Sequence, residues 1–308
     1  MSAVEAHNLV KRFGETTAVD GVSFAVEQGE VFGIIGPDGA GKTTLFRMLI
    51  SLLVPDGGEA RVLGFDVVKD YREIRRRVGY MPGRFSLYPD LSVEENLNFF
   101  ASIFGTTVEA NYHLIEEIYS QIEPFKDRRA GALSGGMKQK LALCCALIHQ
   151  PEVLFLDEPT TGVDAVSRRE FWEMLARLKS RGVTIVVSTP YMDEAGRCDR
   201  VALMQGGRIL RVDTPAAVSR SFDHPLLGVK AADRHRLMRV LQAAPFAHSV
   251  YPFGEWFHYA DSRSEADPEG LLRYLESEGL HGAQVTTLEP GIEDAFMELM
   301  GEPAIAAP

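Results

Sequence analysis

The sequence predicts an α/β fold: a largely parallel sheet flanked by helices, followed by a smaller α+β appendage. Three observations carry this. Short, uniformly apolar runs rich in β-branched residues alternate with helical stretches from about Val4 to Val212. Gly and Pro open or close those stretches. After Thr214-Pro215 the rhythm changes to shorter, closely spaced elements. Strands that are apolar on both faces belong in a parallel sheet, because crossover helices cover both sides of it.

The first such run is VFGIIG (Val31–Gly36), followed after the Gly-rich residues 37–43 by the helical stretch TLFRMLISLL. RVGYM (Arg77–Met81) is the next strand candidate. Between Leu87 and Leu133 strands stop, and ENLNFFASIF and YHLIEEIYSQI place apolar residues at helical spacing. A helical insertion is therefore expected over about residues 85–135. VLFLD (Val153–Asp157), TIVVS (Thr184–Ser188) and VALM (Val201–Met204) complete the sheet. The main domain is expected to run over 1–220. A C-terminal α+β domain over 225–308 should then read LLGVK as strand, RHRLMRVLQAA as helix, AHSVYPF and WFHYA as strands, PEGLLRYLES as helix, AQVTT as strand and EDAFMELM as helix.

Composition narrows the classes of function. The 308 residues are 45% hydrophobic and 24% charged, which excludes disordered and fibrous chains. With 32 basic against 43 acidic residues the net charge is −11, a poor match to a phosphate backbone, so no nucleic-acid partner is expected. Cys144, Cys145 and Cys198 form neither a disulfide framework nor a C-x-x-C metal pair, as suits a reducing compartment. The N-terminus lacks an apolar h-region, and no apolar run approaches the ~20 residues needed to span a bilayer. The expectation is a chain neither secreted nor membrane-spanning by itself.

Chemistry is concentrated in two motifs. Gly36-Pro37-Asp38-Gly39-Ala40-Gly41-Lys42-Thr43 fits G-x-x-x-x-G-K-[ST] between a strand and a helix, the context that motif requires. Its glycines allow successive backbone N–H groups to turn inward around β- and γ-phosphate oxygens, and the helix N-terminus adds partial positive charge. Lys42 neutralises phosphate charge and the Thr43 hydroxyl can ligate Mg²⁺. The strand Val153–Asp157 ends in Asp157-Glu158. Asp157 thus emerges at the carboxyl edge of the sheet as a metal carboxylate, with Glu158 as general base for hydrolytic water.

With these motifs in place the chain resembles the ATP-binding subunits of ABC transporters over roughly residues 4–220. Leu133-Ser134-Gly135-Gly136-Met137-Lys138-Gln139 is similar to that family's LSGGQ-type signature and falls between the helical insertion and the second acid motif. The resemblance implies that Thr44 joins the phosphate loop in binding ATP, and that Asp164 is the D-loop acid. It also implies that Phe13 is the aromatic that stacks adenine. Ser134, Gly135 and Gly136 open a helix and so form a second anion site, which the resemblance assigns to a partner's ATP. Asp38 stands where the family more often has Asn, and its side chain is expected to cap the loop.

Two positions break the pattern. After Tyr80-Met81-Pro82 the family places a glutamine that contacts Mg²⁺ and the attacking water, and here it is Gly83. After TIVVS it places a histidine that reaches the γ-phosphate. Here Ser188-Thr189-Pro190-Tyr191-Met192-Asp193-Glu194-Ala195 has proline there, with neither side-chain donor nor backbone N–H. None of the eight histidines lies between Asp157 and Met204.

Within the family this combination resembles the N-terminal half of tandem exporter ATPases of the YbhF type, and the C-terminal extension resembles that of DrrA-like exporter ATPases through Leu288–Phe296. The implied protein is a membrane-peripheral subunit on the cytoplasmic face of the inner membrane. It would bind ATP and Mg²⁺, pair with a second ATP-binding subunit as a homo- or heterodimer, and drive an ABC-2-type permease. Its own hydrolytic site should be slow. The rival expectations are a regulatory nucleotide-binding module without meaningful turnover, and a soluble ABC ATPase outside transport.

Overall fold

The computed structural model describes residues 2–83 and 87–301. It divides into two compact units, one ending at Pro215 and the other spanning Ala216–Gly301. The first opens with β1 (Ser2–Phe13), β2 (Thr16–Glu27) and β3 (Val31–Ile35), then α1 (Lys42–Leu49), β4 (Gly57–Val62) and β5 (Phe65–Asp66). Next come α2 (Tyr71–Arg77) and β6 (Val78–Met81), then α3 (Val93–Ile103), α4 (Val108–Tyr119) and α5 (Gly135–Leu147). It continues through β7 (Val153–Asp157), α6 (Ala165–Ser180), β8 (Thr184–Thr189), β9 (Arg200–Gln205) and β10 (Arg208–Asp213).

Six strands form one sheet in the order β10-β9-β3-β8-β7-β6. All neighbours pair in parallel except β10 with β9. β3, β7 and β8 are buried at every position, as their uniformly apolar sequences require. The pairings Asp157↔Ser188 and Thr189↔Ile35 bring the carboxyl ends of β7, β8 and β3 to one edge, beside the loop that enters α1. Between β6 and α5 only helices occur among the described residues, as expected of the insertion. α3 starts from a capping box in which Ser92 and Glu95 satisfy each other's backbone N–H groups.

A second, antiparallel sheet in the order β2-β1-β4-β5 is not announced by the sequence. β1 and β2 are long, but four register shifts interrupt their pairing and Asn8 takes a positive φ of 48°. The bulges break the two-residue alternation by which a half-buried strand is recognised. α1 packs in the core between the sheets. Leu45, Phe46, Met48 and Leu49 are fully buried, Phe46 meets Phe155 edge-on at 5.6 Å, and Phe24 of β2 stacks on Phe32 of β3 at 5.4 Å. Arg77, expected to open a strand, closes α2 instead. The three cysteines are buried, and burial pushes their thiols well above the ordinary range.

The helix α7 (Pro215–Ser219) starts at the boundary between the units. The second unit then holds β11 (Leu226–Lys230), α8 (Arg234–Gln242), β12 (Ala247–Phe253), β13 (Trp256–Asp261), α9 (Pro268–Ser277), β14 (Gln284–Leu288) and α10 (Ile292–Gly301). This is the expected order of elements. They form an antiparallel sheet, β12-β13-β11-β14, whose core joins Leu227, Val229 and Tyr259 to Leu237 and Leu241 of α8 and Leu271 and Leu275 of α9. Among the described residues no helix is long and apolar enough to cross a membrane.

Candidate functional site

The loop between β3 and α1 is built from its glycines. A Cβ on Gly36 would collide with the carbonyl of Met204, and one on Gly41 with that of Ala18. Gly41 also caps α1 at φ 104°, a conformation that side chains disfavour. The loop therefore turns tightly enough to aim backbone N–H groups inward only as this sequence is written. Lys42, the first residue of α1, is 3% exposed. Its ammonium donates to the carbonyls of Gly36 at 2.8 Å and Pro37 at 3.0 Å and pairs with Glu158 Oε1 at 3.1 Å. Asp38 is exposed and makes no side-chain hydrogen bond among the described residues, so the expected capping of the loop is not found.

Asp157 closes β7 with 2% exposure, and its Oδ1 accepts a 2.6 Å hydrogen bond from Ser188 Oγ on β8. Glu158 follows with a positive φ of 49°, a strained backbone for glutamate. Its N–H donates to both the carbonyl and the hydroxyl of Ser188 at 3.0 Å, which holds the side chain toward Lys42. Asp157, Glu158, Lys42 and the loop glycines are thus gathered at one end of the sheet. Nearby on β6, burial pushes the Tyr80 phenol up to about 12, and the negative charge of Asp157 adds to this. Thr43 and Thr44 are half-buried in the first turn of α1, and Ala40 is buried beneath the loop.

Gly83 does not leave a gap. A Cβ there would lie 2.9 Å from the Asp157 carbonyl oxygen and 3.5 Å from Glu158 Cβ, so the chain runs close against the acid motif at the position where the resemblance implies a glutamine. Pro190 follows Thr189, and the segment after it is stitched down by Glu194. That carboxylate is buried and accepts from Thr189 Oγ1 at 2.6 Å, Thr160 Oγ1 at 3.1 Å and Arg168 Nε at 3.2 Å. The Arg168 guanidinium also lies 4.2 Å from the centre of the Tyr191 ring. Sequence reasoning missed Ser188, Glu194, Thr160 and Arg168. The one available signal was Ser188, directly across the parallel register from Asp157.

The signature residues form a second cluster. Ser134 caps α5 and its hydroxyl accepts from the Met137 N–H at 3.4 Å. Ser134 and Gly135 are exposed, whereas a Cβ on Gly136 would sit 2.7 Å from Ser167 Oγ in the first turn of α6. Asp164 caps α6, accepting from the N–H groups of Val166 at 3.1 Å and Ser167 at 3.0 Å and from the Ser167 hydroxyl at 2.8 Å. Those bonds hold its carboxyl below the usual range. Phe13 lies at the β1–β2 hairpin end, half exposed at 51%, with the Lys11 ammonium 5.7 Å from its ring centre.

A phosphate loop joined to a buried acid motif at the carboxyl edge of a parallel sheet defines a P-loop nucleotide-binding protein. A family model described as ABC transporter matches residues 19–161, and the chain belongs to the family of ABC transporter ATP-binding proteins. It is 44% identical over 216 residues to the probable multidrug ABC transporter ATP-binding protein YbhF of Escherichia coli, a match covering 70% of this chain and 37% of that protein. It is 38% identical over 306 residues to the Nod factor export ATP-binding protein I of Burkholderia lata, with 98% of each covered. Among solved structures, the ATP-binding subunit of an ABC transporter superposes with a TM-score of 0.65 at 27% identity, over 72% of this chain and 93% of the other. A dimeric ATP-binding cassette in a post-hydrolysis state with ADP and Pi gives 0.62 at 25% identity, over 68% and 98%.

Proposed function

We propose that this chain is the ATP-binding subunit of an exporter that works on a separate ABC-2-type permease at the cytoplasmic face of the plasma membrane, paired with a second ATP-binding subunit. The observation that carries the reading is the Lys42–Glu158 cluster at the sheet edge, with glycine and proline at the two positions where the family carries glutamine and histidine. One relative is named for multidrug transport and another for Nod factor export, and the latter supports export.

The donors suit MgATP. The Thr43 hydroxyl and the Asp157 carboxylate are oxygen ligands of the kind a hard cation takes, beside a loop whose N–H groups face phosphate. Bound Mg²⁺ would neutralise phosphate charge. Lys42 is shared between two carbonyls and Glu158, so an arriving γ-phosphate competes with Glu158 for the ammonium. Substrate binding would thereby release the carboxylate that takes the proton of the attacking water. Removing one group that stabilises a transition state typically lowers the rate by ~10²–10³. With both the amide and the imidazole gone, binding should survive while turnover at this site becomes slow.

The test is nucleotide binding and steady-state turnover measured on one preparation. Ordinary MgATP affinity with turnover close to that of Glu158→Gln is the expected outcome. Brisk turnover that Glu158→Gln abolishes would show that Gly83 and Pro190 do not impair the site. Failure to bind MgATP would remove the reading altogether.

A further inference from the structure

His224, His248 and Glu298 come from three separate segments of the second unit: the loop before β11, the strand β12 and the helix α10. Their ligand atoms all lie within 4.8 Å of one another. His248 Nε2 is 2.9 Å from Glu298 Oε1 and 3.2 Å from Oε2, and His224 Nε2 is 3.7 Å from Oε1. The two imidazoles stack at 3.7 Å with planes 26° apart. We infer that this trio is a site for a divalent transition metal, with Zn²⁺ the best-matched ion.

The donor set and the spacing both favour that ion. Two imidazole nitrogens and one carboxylate oxygen suit a borderline cation, whereas Mg²⁺ and Ca²⁺ prefer oxygen alone. Ligand atoms on a tetrahedron around Zn²⁺ at about 2.0–2.1 Å are separated by about 3.3 Å. The 2.9 Å and 3.7 Å separations bracket that figure. His248 is the most exposed of the three side chains, at 35%, so rotation of its ring can fan the stacked planes apart and converge the lone pairs. The ion would take the place of the hydrogen bond between His248 Nε2 and Glu298, with the neutral ring carrying its proton on Nδ1. Three protein ligands leave a fourth position for water. With ligands on a loop, a strand and the last described helix, such an ion would clamp α10 to the sheet, and its binding energy would stabilise this unit. The site is independent of the phosphate loop and needs no nucleotide.

The test uses tag-free full-length protein without nucleotide, titrated with Zn²⁺ by calorimetry and with Co²⁺ by visible absorption. Expected are one equivalent of metal, the intense bands of four-coordinate Co²⁺, and a raised Tm for the metal-loaded protein. His224→Ala, His248→Ala and Glu298→Gln should each weaken binding by at least roughly tenfold, while His235→Ala, also in this unit, leaves it unchanged. Retained MgATP binding and an unchanged far-UV spectrum in the His248→Ala variant show that the loss is not unfolding. Absence of Co²⁺ bands in the wild-type protein, or wild-type affinity in a variant combining His224→Ala with His248→Ala, overturns the assignment.

Discussion

Glu194 carries no motif, yet its buried carboxylate joins the end of β8, the segment after the acid motif and α6 through Thr189, Thr160 and Arg168. Breaking a buried charge-assisted network leaves polar partners unpaired, which typically costs more than the net worth of the bonds. Glu194→Ala should therefore lower unfolding stability by about 3 kcal/mol, whereas Glu194→Gln, which keeps an acceptor for the hydroxyls, should lose about 1 kcal/mol. Denaturant unfolding reads both, and two variants within experimental error of wild type would deny the network any structural weight. The contrast with Lys42 shows what is legible at this scale. Gly36, Gly41, Lys42, Asp157 and Glu158 stand in the sequence because the chemistry of phosphate fixes their spacing. Ser188 meets Asp157 31 residues away through a strand register, and Glu194 meets Thr160 34 residues away through the packing of two connecting segments, neither of which the sequence displays.

At the scale of elements the fully apolar strands were readable because burial on both faces leaves no ambiguity, and the helices because their apolar residues recur at helical spacing. The sheet holding β1 and β2 was not, since its bulges erase the period that identifies a strand. α3 raises a different question. Its Phe99 and Ile103, with Tyr88 before it and Leu52 after α1, are exposed and line an apolar cleft of 390 Å³ that reaches His149 beyond α5. Leu87 and Tyr88 line this cleft as well, and Phe85 lies outside the described residues. If the proposed complex forms, this cleft is expected to receive the permease. A cysteine placed at Ile103, which is 58% exposed, should crosslink to the permease in membranes, and Ile103→Asp should abolish that contact while MgATP binding persists. Of the chain's own three buried cysteines Cys145 lines this cleft, so the crosslinking is done in a Cys145→Ala background. Crosslinks confined to soluble chains would refute the docking.

At the scale of the whole molecule, one chain presents two half-sites of unequal quality. In the proposed reading the site built on the phosphate loop has Gly83 after β6 and Pro190 after β8 where the resemblance implies the two assisting groups, whereas at the other cluster Ser134 caps α5, Ser134 and Gly135 are exposed, and Gly136 packs on α6. If ATP is held between one subunit's phosphate loop and the other's signature helix, the defects spoil only the site built on Lys42. The α5 N-terminus would then serve the partner's ATP, adding N–H groups and dipole to its γ-phosphate. In a reconstituted complex Ser134→Arg should then abolish turnover, because it places bulk and a misplaced charge where that phosphate docks. Lys42→Ala should leave a substantial part of it. Ser134→Arg also removes a helix cap, an effect of about 1 kcal/mol, so Ser134→Ala serves as the control: it loses the cap without the bulk and should keep the complex assembled and more active than Ser134→Arg. Turnover measured for the three variants decides between symmetric and asymmetric use of the two sites. Should Lys42→Ala prove the more damaging, the competent site is the one on this chain, and the asymmetric arrangement is wrong.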